Sequence, residues 1–176
     1  MITKLSRGLA KAEIFCASFL AILITLLILL NVLTRAMNAS IYWVDEAAIY
    51  AMVWMTFLAA SAGIHERSAV SVTVIKDMLN DRARHIMNIA IDLVVLLFVA
   101  AILYFLWRWL LPLDLLRAGF NIEAFQGETF NFVYAEPTTT LGIKKVWVWI
   151  IMVAFAFGAG LHAIANLSTT LRGGRL

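Results

Sequence analysis

Four long apolar runs separated by charged breaks occupy most of the 176 residues, and they restrict the chain to folds whose surroundings are a lipid bilayer. A spanning helix needs about 20 mostly apolar residues to cross a hydrocarbon core of about 30 Å. Residues 14 to 34, 43 to 64, 86 to 111 and 146 to 167 each meet that requirement. The mean hydropathy of +0.90 agrees. With 63% hydrophobic and 14% charged residues, little chain is left for a soluble catalytic body. The expected class is all-α: one integral membrane four-helix bundle over residues 1–176, without enzymatic residues, cofactor or metal.

The single cysteine, Cys16, lies inside the first run, which excludes an internal disulfide and a cysteine metal site and leaves a small buried packing residue as its expected role. The first run is longer than the usual apolar core of a secretory signal and is followed by no small-x-small site, so an uncleaved helix is expected. Lysine and arginine fall unevenly between the runs, nine on the side of the termini and five on the other. The positive-inside rule then places both termini in the cytoplasm. The net charge of +3 reads as a topology signal, not as a nucleic-acid footprint.

The connections differ in character. A short turn after Arg35 should make the first two helices an antiparallel pair. Residues 65 to 85 mix Val70, Val72 and Val74 with Lys76, Asp77, Asp81, Arg82 and Arg84, which suits an interfacial segment leading into an amphipathic stretch. The third connection, 112 to 145, is a long periplasmic loop holding both prolines and Phe120, Phe125, Phe130, Phe132 and Tyr134. Loops of this length are functional or disordered. The aromatic content favours packing on the bundle's own end or on headgroups, with a partner contact as the alternative.

Polar residues inside a span are expensive and therefore informative. In the fourth run Ala154, Gly158, His162 and Asn166 recur every four residues, a small-then-polar stripe. Asp92 lies about 9 Å and His162 about 7 Å inside the cytoplasmic ends of their helices at 1.5 Å per residue. The two are expected to form a buried polar pair, directly or through Asn166. A haem reading of His65, His85 and His162 is disfavoured, because His65 and His85 sit at helix ends beside charges. At the opposite end Asn31, Arg35, Trp43, Asp45, Glu46, Tyr50, Trp54 and Phe57 form the richest constellation. There Arg35 is placed to reach back to Glu46, and the stripe of Tyr50, Trp54 and Phe57 is a candidate partner face.

Asn31-Val32, Arg35, Trp43-Val-Asp-Glu46, Trp54 and Phe57-Leu58-Ala-Ala, with Leu141-Gly-Ile-Lys-Lys-Val-Trp147 opening the last run, resemble the small permease subunit of TRAP transporters, the DctQ-like family. The resemblance implies a bacterial inner-membrane subunit that supports the scaffold of a large, DctM-like permease. That permease would carry out sodium-coupled uptake of an organic acid delivered by a periplasmic binding protein. Partners would then be the permease, the binding protein and membrane lipid. Arg35, Trp43, Glu46, Tyr50, Trp54 and Phe57 would be interface or structural residues. Residues 113–136 read as an insert that widens the periplasmic surface. The competing class is a membrane subunit of a respiratory oxidoreductase.

Overall fold

The computed structural model describes residues 1–67 and 79–172. Among the described residues six helices follow one another: α1 Ile2–Ala36, α2 Trp43–Glu66, α3 Asp81–Leu110, α4 Pro112–Arg117, α5 Ile122–Thr129 and α6 Val146–Leu171. Four of them, α1, α2, α3 and α6, are long and apolar enough to cross a membrane. Among the described residues no strand forms; Pro137 and Lys144 make an isolated bridge. Most of the expected interfacial segment falls on residues 68–78, outside the described residues.

α1 starts twelve residues before its apolar run. At 1.5 Å per residue its 35 residues extend about 52 Å, well beyond a hydrocarbon core of about 30 Å. The extension exists because Ser6, Ala10, Glu13 and Ala17, spaced by three or four, form a buried stripe. Lys4, Arg7 and Lys11 lie on the exposed side of the same turns. Cys16 is exposed, not buried as expected, because it sits one position off that stripe. α3 likewise begins before its apolar run, where the Asn80 side chain accepts from the Ala83 N–H at 2.9 Å and caps the helix.

The bundle is organised around α6, which packs against α1, α2 and α3. Half of its most apolar stretch is buried, against 6% of that of α1. Val99 of α3 with Phe155 and Ala159 of α6 forms the apolar centre, covered by Phe57 and Ile64 of α2 and by Val95, Ile102 and Leu103 of α3. Phe57 meets Phe155 edge to face at 5.3 Å between centroids. Outward, α1 shows Phe19, Ile22, Leu26 and Leu29, and α3 shows Leu97, Phe98 and Phe105. Such a surface belongs in lipid or against another apolar protein.

The stripe expected at intervals of four in α6 holds for Gly158, His162 and Asn166, which are buried, and fails at Ala154, which is exposed. A step of four exceeds one turn by about 40°, so three steps turn the stripe by about 120°. Phe155, Ala156 and Ala159 take over the inward face.

Gly158 marks the closest approach of α6 to its neighbours. A Cβ there would lie 2.6 Å from Glu13 Oε1 and 2.7 Å from Ser61 Oγ. Gly158→Ala is therefore expected to destabilise the chain by about 1–3 kcal/mol, the usual range for overpacking. Gly160→Ala, whose Cβ would stand 3.4 Å from Val99 Cγ1, should be tolerated. Thermal unfolding of both variants in the same detergent checks the contrast.

Candidate functional site

Polar side chains gather at two ends of the bundle. At the end that carries the α1–α2 turn, Asn38 adopts a left-handed backbone (φ 56°) and lets the chain reverse between Ala36 and Trp43. Arg35 then pairs with Asp45 at 2.5 Å and donates through Nε to Asn31 Oδ1 at 3.0 Å, while Asn31 also donates to Asp45. The expected Arg35–Glu46 pair is not formed. Neighbouring positions on a helix differ by about 100°, so when Asp45 faces α1, Glu46 faces elsewhere. With Arg35 61% and Asp45 46% exposed, a pair of this kind contributes about 0–1 kcal/mol.

Glu46 instead anchors the loop that precedes α6. Its Oε2 accepts from the Thr140 N–H at 2.6 Å, the Thr140 hydroxyl at 2.6 Å and the Leu141 N–H at 3.0 Å. Its Oε1 accepts from the Thr139 N–H and the Tyr50 hydroxyl, both at 2.8 Å. Successive backbone N–H groups make a concave anion site, and a carboxylate of the same chain fills it. The loop is bent for this by Gly142 (φ 71°) and by Thr138, whose N–H donates to the Ile143 carbonyl at 2.7 Å.

The aromatic stripe of α2 turns inward. Trp54 Nε1 donates to the Val148 carbonyl of α6 at 3.0 Å, and Phe57 packs on Phe155. The stripe of Tyr50, Trp54 and Phe57 thus faces the bundle, which corrects its reading as an outer partner face. Trp43, in the first turn of α2 and outside that stripe, is 45% exposed.

The long third connection is tied to the end of α3. Asn131 Nδ2 donates to the Trp109 carbonyl and the Tyr134 hydroxyl to the Leu110 carbonyl, each at 2.7 Å. These are the carbonyls a helix C-terminus leaves without partners of its own. Phe125 is fully buried and meets Tyr134 edge to face at 5.3 Å. Burial pushes the Tyr134 phenol above its usual pKa. Phe120, Phe130 and Phe132 of the same connection are exposed.

At the other end Asp92 and His162 are both buried but have different partners. Arg67 caps α2 in a left-handed conformation (φ 50°), and its Nη2 reaches Asp92 Oδ2 at 2.7 Å, Thr170 Oγ1 at 2.6 Å and the Asn166 carbonyl at 3.2 Å. The Thr170 hydroxyl in turn lies 2.9 Å from Asp92 Oδ2. Asn166 Nδ2 donates to the Ile64 carbonyl at 2.6 Å, satisfying the end of α2. His162 of α6 has its partners on α1: its Nε2 lies 2.9 Å from Glu13 Oε2 and its Nδ1 lies 2.7 Å from Ser6 Oγ. Ser61 donates to Glu13 Oε1 at 2.7 Å, and His65 Nδ1 lies 2.7 Å from the same Ser6 Oγ.

The expected Asp92–His162 pair is therefore two clusters. His162 is claimed by Glu13 because α1 begins at Ile2 and brings Ser6 and Glu13 into the bundle, and Asp92 is claimed by Arg67. The His65 and His162 rings lie 5.3 Å apart, so His65 is part of the interior cluster and not only a helix-end residue. Ser6, Glu13, Ser61, Arg67 and Thr170 escaped the sequence reading. Tracing the helical period of α1 back from Ala17 through Glu13 and Ala10 to Ser6 is the signal that finds the first two.

The geometry is that of a multi-span membrane bundle whose conspicuous polar groups bind one another, closing helix ends and loops. The family model described as "Tripartite ATP-independent periplasmic transporters, DctQ component" matches residues 24–173, and the chain belongs to that family. It is similar to a Haemophilus influenzae protein provisionally named a TRAP transporter small permease protein, at 34% identity over 99 residues. That match covers 55% of this chain and 61% of the relative's own length. No solved structure matches the chain. The family is described as a component of transporters, and the match spans less than two thirds of the relative's length.

Two substitutions test the clusters. Asp92→Ala takes the buried carboxylate away from the Arg67 guanidinium, whose side chain is 18% exposed, and is expected to cost about 1–3 kcal/mol, whereas Asp92→Leu combined with Arg67→Met recovers most of that loss. Unfolding in detergent measures both. Glu46→Gln removes the charge and sets an amide donor against backbone donors, so it should expose the Thr139, Thr140 and Leu141 amides to hydrogen exchange nearly as fully as Glu46→Ala does.

Proposed function

We propose that this chain is the scaffold-supporting subunit of a sodium-coupled uptake system for an organic acid, acting on a large permease that receives its substrate from a periplasmic binding protein. Both termini face the cytoplasm, and the end carrying the α1–α2 turn, the loop around Thr140 and the aromatic connection faces the periplasm. Family membership supports the assembly, and the lysine and arginine distribution supports the orientation.

The observation that carries the scaffold role is the engagement of Glu46 and Arg35 by their own chain. Glu46, the acidic residue of the constellation with the most donors, is held by two hydroxyls and three backbone N–H groups. A subunit built this way holds shape and offers its outer apolar surface. The exposed Phe120, Phe130 and Phe132 on residues 113–136 then extend the surface presented to the permease or the binding protein. Family membership weighs against a respiratory-oxidoreductase subunit.

Affinity purification of the tagged chain from its native membrane in mild detergent tests the reading. A stoichiometric large permease in a colourless preparation is the expected result; a coloured preparation with redox subunits would overturn it. Within the complex, Arg35→Ala and Glu46→Ala should lower recovery of the assembly more than the substrate affinity of what survives. A change confined to substrate KM with normal assembly would count against the scaffold role.

A further inference from the structure

Glu13, Ser6, His65 and His162 make a continuous hydrogen-bonded row from the interior to a cavity. The row runs from Glu13 Oε2 to His162 Nε2 at 2.9 Å, from His162 Nδ1 to Ser6 Oγ at 2.7 Å and from Ser6 Oγ to His65 Nδ1 at 2.7 Å. Glu13, Ser6 and His162 are buried, with His162 and Ser6 fully so. His65 also lines a cavity of about 490 Å³ together with Arg7, Lys11, Glu66 and Arg67. We propose that this row is a proton-binding site: a proton enters at His65 from the cavity and is held between His162 and Glu13.

Counting hydrogens leaves two arrangements. The Ser6 hydroxyl carries one hydrogen and faces two imidazole Nδ1 atoms, so it donates to one and accepts from the other. In the empty state Glu13 is a carboxylate and accepts from His162 Nε2–H and from Ser61. Ser6 donates to His162 Nδ1 and accepts from His65 Nδ1–H, and His65 Nε2 carries no hydrogen. A proton from water in the cavity then bonds to His65 Nε2. His65 gives its Nδ1 hydrogen to Ser6 Oγ, and Ser6 gives its own hydrogen to His162 Nδ1. Two N–H bonds form, at His65 Nε2 and His162 Nδ1, one N–H bond breaks at His65 Nδ1, and the hydroxyl is regenerated. His65 ends neutral, and the added charge resides in the bond between His162 Nε2 and Glu13 Oε2.

The surroundings allow both states. α1 contributes Arg7, Lys11 and Glu13 to this region, α2 contributes His65, Glu66 and Arg67, and α3 contributes Asp92, which Arg67 already binds. Among the described residues the buried acidic side chain without a fixed cation is Glu13, and the loaded proton supplies its counter-charge. Burying a carboxylate without a compensating positive charge is costly, which gives the site its affinity. Gly158 keeps the arrangement tight, since any larger residue there would displace Glu13 and Ser61.

The test is a pH titration of the full chain, labelled with ¹⁵N in its three histidines and held in lipid nanodiscs, read by imidazole nitrogen shifts. His85, exposed and outside the row, serves as the internal reference. The expected result is one shared transition: as pH falls, His162 Nδ1 changes from acceptor to N–H while His65 Nδ1 changes from N–H to acceptor and His65 stays neutral. In Ser6→Ala the two imidazoles should lose this exchange and titrate separately. A wild-type titration in which His162 Nδ1 does not change, or in which His65 takes up charge without exchanging its hydrogen, overturns the proposal, as does an unchanged coupled transition in Ser6→Ala. The wild-type titration decides the matter even if the variant does not fold.

Discussion

A carboxylate carried into a bundle of apolar helices has to be surrounded by donors, and the burial of Glu13 is the constraint from which the rest of this structure follows. Ser61 of α2 and His162 of α6 supply hydrogen bonds from two sides. For both helices to come that close, α6 must present a bare backbone, which Gly158 provides. Three helices are thereby locked at one depth. The fourth, α3, joins through the apolar contact of Val99 with Phe155 and Ala159 and through Asp92, which Arg67 binds across the end of α2. In lipid, where apolar surfaces gain little from one another, such polar and close-packed contacts are what distinguishes one helix arrangement from another.

The two ends use different means to the same purpose. At the α1–α2 turn a carboxylate, Glu46, fills a ring of backbone donors and so fixes how the chain enters α6. At the opposite end the Arg67 guanidinium and the Asn166 amide reach carbonyls and side chains left open where α2 and α6 finish. The long connection between α3 and α6 follows the same logic, since Asn131 and Tyr134 bind the last carbonyls of α3. Glu46, Arg67, Asn131, Tyr134 and Asn166 are thus occupied in closing the protein on itself, which supports the proposed scaffold role.

Much of this was legible in the sequence. Four apolar runs of spanning length foretold four helices, and the α2 and α6 starts at Trp43 and Val146 fall where the runs begin. What sequence reasoning missed shares one physical cause. A run chosen by hydropathy ends at its first charges, yet a helix continues as long as its buried face does. Lys4, Arg7 and Lys11 hid the fact that Ser6, Ala10 and Glu13 share one buried face. Without Glu13 in view, His162 was matched with Asp92, directly or through Asn166. Rotation misled in the same way: Asp45 and Glu46 are adjacent, but about 100° separates them, and only a structure says which of the two meets α1.

The central claim is that this chain supports a carrier and does not itself carry. Reconstituting the purified chain alone in liposomes under an imposed sodium gradient, and then together with its large permease and the substrate-loaded binding protein, measures that claim directly. The account predicts organic-acid uptake only in the complete assembly. Uptake by vesicles containing this chain alone would contradict it.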